Sequence, residues 1–179
     1  MTQIDSDVSP ASSQSRAVAW LFARPWRLAA FAGLGSFLTI LLLTIANATE
    51  IAPLLIAPFG ASCALVFGAP ASPLARPYNV VGGHLVTAAC GLLVATCIGS
   101  SPIAIALGVG IAISAMLLTD TLHPPAGANP IVIALAHSGW TFLVAPIVIG
   151  ATFIVICGSL YHRLVTGHSY KLTLSRRAR

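Results

Sequence analysis

Apolar residues gather into six stretches divided by short polar or proline-rich breaks. Leu28–Ala48, Val80–Gly99 and Pro102–Thr119 read as helices that span a bilayer at 1.5 Å per residue, and Phe142–Val165 closes the series. The other two stretches are interrupted. Ile51–Ala69 contains Pro53, Pro58 and Gly60, and Thr121–His137 contains His123-Pro124-Pro125-Ala126-Gly127-Ala128-Asn129-Pro130. Proline removes a backbone donor and breaks a helix. Broken backbone persists at membrane depth only where protein or a water-filled cavity surrounds it. The two breaks therefore mark where a solute path is to be sought.

Composition agrees with a membrane location. Of 179 residues, 57% are hydrophobic and 7% charged, against about 25% charged in a soluble domain. From Leu28 to Leu160 the only formal charges are Glu50, Arg76 and Asp120, too few to solvate a globular surface. The net charge of +5 comes from the ends of the chain and does not point to nucleic acid. Arg16, Arg24 and Arg27 precede the first apolar run, and Arg163, Lys171, Arg176, Arg177 and Arg179 follow the last. The positive-inside rule then puts both termini in the cytoplasm, with an even number of crossings, in a bacterial plasma membrane. Trp20, Trp26, Trp140, Tyr78, Tyr161 and Tyr170 lie at or beyond the ends of the runs, as in a headgroup-level aromatic belt. Residues 1–24 read as a disordered cytoplasmic tail and 167–179 as a basic one, with the transmembrane domain over 25–166. Cys63, Cys90, Cys97 and Cys157 all fall in apolar runs and read as packing residues.

An internal repeat runs through the domain. Pro58-Phe59-Gly60-Ala61-Ser62 resembles Pro125-Ala126-Gly127-Ala128-Asn129, 67 positions later, and the same offset pairs Gly83 with Gly150, Cys90 with Cys157 and Gly91 with Gly158. The expected fold is thus an all-α polytopic membrane protein. It has two repeats, about 35–99 and 102–166, each a long helix, a broken or re-entrant short helix, and a long helix. Re-entrant breaks give four crossings and parallel repeats; breaks that cross give six and inverted repeats. Arg76 would lie outside in the first case and in the cytoplasm in the second. The prolines at 121–130 favour the re-entrant form.

Two helix starts fit the second break: one at Pro124/Pro125, the other with Asn129 as N-cap and Pro130 at the first helical position, the better local fit. Ser62 occupies the matching cap position in the first break. Either start leaves unpaired N–H groups and a positive dipole end at membrane depth, which suits an anion. The alternative is a proline-kinked helix pair that only packs tightly. The expected substrate-binding set is Ser62, Gly60, Asn129, Gly127, His123, His84 and Asn79. His123 and Asp120, three residues apart, are candidates for proton coupling, since an intramembrane ionisable residue is functional by default. His137, His162 and Glu50 read as headgroup-level residues.

Three motifs in order resemble the HPP family of integral membrane proteins, named for the tripeptide at His123-Pro124-Pro125. They are Ala57-Pro58-Phe59-Gly60-Ala61-Ser62, Ser72 through His84, and Leu122 through Pro130, and the likeness covers about Pro25 to Val165. The resemblance implies four membrane-spanning helices and, from plastid and cyanobacterial members, nitrite transport. A transporter or channel for a small inorganic anion is therefore the leading expectation, with the bilayer and further copies of the chain as partners. A homo-oligomer is expected because Ala29/Gly33, Ala104/Gly108 and Gly91/Ala95/Gly99 suit close helix contacts. The chain has no HExxH, no GxSxG and no paired intramembrane carboxylates. No enzyme activity, cofactor or metal is expected, though His84, His123 and Asp120 are the residues that would have to converge on one. A non-transporting regulatory or scaffolding subunit is the other alternative.

Overall fold

The computed structural model describes residues 25–48, 53–166 and 170, and all regular structure among them is helical. Glu50, Trp20 and the expected tails lie outside the described residues, except for Tyr170. The helices are α1 (Pro25–Ala48), α2 (Ala57–Gly68), α3 (Pro77–Cys97), α4 (Pro102–Leu118), α5 (Asn129–Leu135) and α6 (Ile149–Tyr161). Short 3-10 turns cover Pro73–Ala75, Pro124–Ala128 and Trp140–Leu143, and widened turns flank α6 at Val144–Val148 and His162–Thr166.

Proline sets most of the helix starts. Helices α2, α3, α4 and α5 and the 3-10 turns at Pro73 and Pro124 each carry one in their first two positions, where its missing N–H had no partner to lose. Ser101 caps α4 by accepting from the Ala104 amide at 3.3 Å. Three runs are long and apolar enough to cross a bilayer: Trp26–Ala48, Pro77–Cys97 and Trp140–Val165. Helix α4 has 17 residues, at the lower limit for a span. Helix α2 has 12, only about 18 Å of helix.

Contacts fix the direction of every element. Helix α2 runs against α1: a Cβ on Gly35 would strike Phe67, while Asn47 Oδ1 accepts from the Leu54 amide at 3.1 Å at the other end. It runs with α6, since Gly150 meets Phe59 and Gly158 meets Val66. Helix α3 runs against α4, with Tyr78 donating to the Thr119 carbonyl at 3.3 Å and Gly108 lying against Val94. The segment Pro124–Leu135 runs with α3, because Gly83 meets His123 and Gly91 meets Pro130 and Ile133. Tyr170, beyond α6, donates its hydroxyl to the Ala75 carbonyl just before α3. Helix α3 therefore starts at the end of the bundle where α2 and α6 finish.

The chain thus reverses at each step, and neither short helix turns back. Each delivers the chain to the opposite end of the bundle, which differs from the re-entrant form that the prolines favoured. The prolines shorten these helices and set where they begin, but they do not reverse them. The two short helices also exchange neighbours: α2 packs on α6, and Pro124–Leu135 packs on α3.

Two turns use ionisable residues as helix stops. Asp120 (φ 55) ends α4 and His137 (φ 50) follows α5, each in the left-handed region that Asp and His enter more readily than most residues. The amide three residues past each helix end returns to a carbonyl in its last turn, Thr121 to Met116 at 2.9 Å and Ser138 to Ile133 at 3.0 Å. Gly99 (φ +99) ends α3, and there the glycine's own amide returns to the Val94 carbonyl at 3.2 Å.

The surface is that of a protein in lipid. Phe37, Leu41, Leu42 and Ile45 of α1 and Ile103, Leu107 and Ile111 of α4 are exposed, while α4 turns Ala104, Gly108, Ala112 and Met116 inward. Trp26, Trp140 and Tyr78 are exposed at bundle ends, as a belt requires. Tyr161 and Tyr170 are not. Tyr161 donates to the Phe31 carbonyl at 2.6 Å and Tyr170 is buried. His162 is buried as well, bonding the Val66 carbonyl at 2.8 Å, with the Phe67 and Tyr170 rings stacked near it. The interfacial placement expected of His162 is replaced by a tertiary lock just past the end of α6.

Candidate functional site

Four polar side chains from three separate segments meet in the apolar interior. Ser62 of α2, His84 of α3, and His123 and Asn129 of the second break are each 0% exposed. Ser62 Oγ lies 2.9 Å from His84 Nε2 and 2.9 Å from His123 Nε2. His123 Nδ1 lies 2.8 Å from the Leu74 carbonyl oxygen. Asn129 Nδ2 lies 3.1 Å from His84 Nδ1, 3.1 Å from the His84 carbonyl and 2.9 Å from Thr87 Oγ1. Phe59 presents an edge to His84, with ring centroids 5.1 Å apart.

The local sequence explains each placement. Gly82 and Gly83 let the backbone of the second break come close to α3: a Cβ on Gly83 would sit 2.7 Å from the Thr121 carbonyl and 2.8 Å from His123 Cβ. His123 is extended (φ −135, ψ 96) just ahead of Pro124, as a residue before proline prefers. That geometry carries its ring across to Ser62 and Leu74. Asn79 donates to the Leu122 carbonyl at 3.0 Å and the Asp120 carbonyl at 3.4 Å, tying down the strap that leads into His123.

The partners settle the protons. A carbonyl only accepts, so His123 Nδ1 carries hydrogen, and in the neutral ring Nε2 is an acceptor. An amide nitrogen only donates, so His84 Nδ1 is the acceptor and Nε2 carries hydrogen. One continuous chain results. Asn129 donates to His84, His84 to Ser62, Ser62 to His123, and His123 to Leu74. Ser62 has a second acceptor in reach, the Pro58 carbonyl at 3.2 Å.

Several expectations change at this point. Ser62 lies in the second turn of α2, whose N-cap is Ile56. Asn129 is itself helical (φ −57, ψ −43), with Ala128 at the cap position. Of the two starts, the one at Pro124/Pro125 is adopted, as a 3-10 turn that runs directly into α5. Neither residue caps a helix, because each side chain is drawn across to His84 instead. Nor does the cluster hold a free donor for an anion. The Asn129 hydrogens, the His84 and His123 N–H groups and the Thr87 hydroxyl, which reaches the Gly83 carbonyl at 2.8 Å, all have acceptors. Among the described residues the buried side-chain polar atom without a partner is an acceptor, Asn129 Oδ1.

The remaining candidates lie apart from this cluster. Gly60 is exposed, and a Cβ there would meet nothing within 4 Å. A Cβ on Gly127 would meet only Ile113, at 4.0 Å. Asp120 is exposed, and residues 121–123 are not helical, so the one-turn spacing to His123 does not apply. Both His123 nitrogens are already engaged elsewhere. Among the described residues no three His, Cys, Asp or Glu side chains converge as metal ligands would. Sequence reasoning missed Thr87, a hydroxyl one turn beyond His84 on the same helix, where its position was the available signal. It also missed the carbonyls of Pro58 and Leu74.

The HPP transmembrane-region family matches residues 22–171. Two transmembrane proteins of Dictyostelium discoideum are each 31% identical to this chain, one over 151 residues and the other over 124. These alignments cover 78% and 65% of the chain but 53% and 40% of the relatives, so the chain spans about half the length of the curated relatives it matches. No solved structure matches.

Proposed function

The chain belongs to the HPP family of transmembrane proteins, and from that premise we propose that it is a membrane transporter for a small inorganic anion, with nitrite as the first substrate to test. The observation that carries this reading is the Ser62–His84–His123–Asn129 cluster, a fully buried hydrogen-bonded chain in an otherwise apolar bundle. Polar groups at membrane depth are costly and mark solute or proton paths. This one joins both proline breaks to a long helix, as in transporters whose sites lie where broken helices meet.

Inverted repeats fit the directions of the elements. Helices α1, α2 and α3 run opposite to their counterparts α4, Pro124–Leu135 and α6, and Gly91 against Ile133 is matched by Gly158 against Val66 at the same offset. The short helices then cross rather than re-enter. The described arginines, Arg27, Arg76 and Arg163, all fall at one end of the bundle, which the positive-inside rule makes cytoplasmic, together with both termini. Association of several copies in the membrane belongs to the same reading and is supported by Ala29 and Gly33 on the outer face of α1, where a Cβ on Gly33 would meet nothing within 4 Å.

The test is nitrite uptake into proteoliposomes by wild type, Asn129→Leu and His123→Ala. Uptake by wild type and its loss in both variants support the reading. Uptake that both variants leave unchanged removes the site, and absence of uptake by folded wild type removes the function.

A further inference from the structure

The cluster has a second complete hydrogen-bonding state, which differs from the first by one proton. If His123 Nε2 gains hydrogen, it donates to Ser62 Oγ. Ser62 then accepts from both imidazoles and turns its own hydrogen to the Pro58 carbonyl, 3.2 Å away. His123 Nδ1 keeps its bond to Leu74. No donor or acceptor is lost, and only one hydroxyl rotates. The same proton placed on His84 Nδ1 would point at the Asn129 amide nitrogen, which has no lone pair to offer. Turning the amide over would set its oxygen against the His84 carbonyl, 3.1 Å away. His84 is therefore fixed as a neutral ring.

The surroundings supply acceptors for that proton but no opposite charge. Among the described residues the titratable ring packed against His123 is that of His84, with centroids 5.3 Å apart. Helices α2, α4 and α5 carry no Asp, Glu, Lys or Arg, and Arg76 and Asp120 are exposed at the ends of their segments. A buried cation with no carboxylate beside it requires a counter-charge from elsewhere. We propose that His123 Nε2 is the binding site of a single transported proton, that Ser62 switches its hydroxyl hydrogen between His123 and Pro58 to admit it, and that a monovalent anion crosses as its counter-charge, one for one. The coupling half of this statement rests on the anion-transport reading above; the proton site stands on the geometry alone.

Two measurements test it. The first is nitrogen NMR of the full chain labelled at histidine, in detergent micelles with and without sodium nitrite, with signals assigned by His→Gln variants. The expected result is that the His123 ring passes from the Nδ1–H neutral form to the cation as pH falls, while His84 keeps its Nε2–H neutral form. Titration of His84 before His123, or the opposite tautomers in the neutral rings, overturns the proton site. The second is nitrite and proton flux into proteoliposomes, with protein-free liposomes subtracted. One-to-one coupling predicts accumulation driven by a pH gradient and indifferent to an imposed membrane potential, with the pH-driven part lost in His123→Gln. Uptake driven by the potential overturns the coupling. If wild type moves no nitrite, the transport reading and the coupling fail together, and the NMR result alone decides the proton site.

Discussion

Ser62 and Asn129, 67 positions apart in the sequence, hold the two ring nitrogens of one histidine: Ser62 Oγ is 2.9 Å from His84 Nε2, and Asn129 Nδ2 is 3.1 Å from Nδ1. Equivalent positions of two similar segments have become the two jaws of one clamp. The clamp decides which tautomer His84 adopts, and through Ser62 it decides how His123 is bonded.

Removing the hydroxyl at the centre of this chain has a calculable cost. Ser62→Ala leaves the His84 Nε2–H without an acceptor and His123 Nε2 without a donor, both on fully buried rings. Each stranded group costs about 1–3 kcal/mol. The expected outcome is a clearly lowered melting temperature in detergent and lost transport. A melting temperature equal to wild type would show that Ser62 is not the hub.

Close approach at Gly83 predicts a defect in the site rather than in the bundle as a whole. A Cβ there meets backbone oxygen at 2.7 Å, so Gly83→Ala must push the Thr121–His123 strap outward, a strain of about 1–3 kcal/mol. Gly110→Ala, where a Cβ meets nothing within 4 Å, is the matched control and should be neutral or stabilising by up to about 1 kcal/mol. Thermal melts of the pair, run together, check this.

The exposed Asp120 is predicted to be dispensable as a charge. Its left-handed backbone (φ 55) is what ends α4, and asparagine adopts it equally well. Asp120→Asn should leave stability within about 0.5 kcal/mol and the pH profile of uptake unchanged. A displaced profile would return Asp120 to the proton path.

Direction of the short helices is open to labelling. Single cysteines at Arg76 and Thr119, in a background lacking the native four, should react from the membrane face that also carries the end of α6. Cysteines at Gly99 and Ser138 should react from the other face. Arg76 on the opposite face from the end of α6 would restore re-entrant breaks.

His162 offers a test of the last helix. His162→Ala removes the bond to the Val66 carbonyl and the ring stacked between Phe67 and Tyr170. The expected loss is about 1–3 kcal/mol, read as melting temperature.

Much of the architecture was legible in the sequence because proline and charge leave strong marks in apolar runs. The helix start at Pro102 follows from that residue, and the start at Pro124 is one of the two that the second break allowed. The match of Pro58–Ser62 to Pro125–Asn129 brought Ser62 and Asn129 forward together. What escaped the sequence depends on backbone geometry across the chain. The His123–Asp120 pairing assumed helical spacing where the strap is extended. Apolar runs carry no sign of direction, so crossing and re-entry looked alike. Asn79 looked like a ligand for solute, but its amide is used on the carbonyls of the strap. Tyr161 and His162 stand at the end of an apolar run, where interface and interior differ only by what folds back over them.

The exchange of neighbours between the short helices also bears on how the protein is made. Helix α2 leaves the ribosome early, yet the surface it is shaped for, the Gly150 and Gly158 face of α6, is synthesised only after α3, α4 and α5. Until then Phe59 and Val66 have no partner from that helix. The first half therefore lacks part of the surface it packs against until the second half has been made, and its Ser62 hydroxyl bonds a ring that the second half supplies.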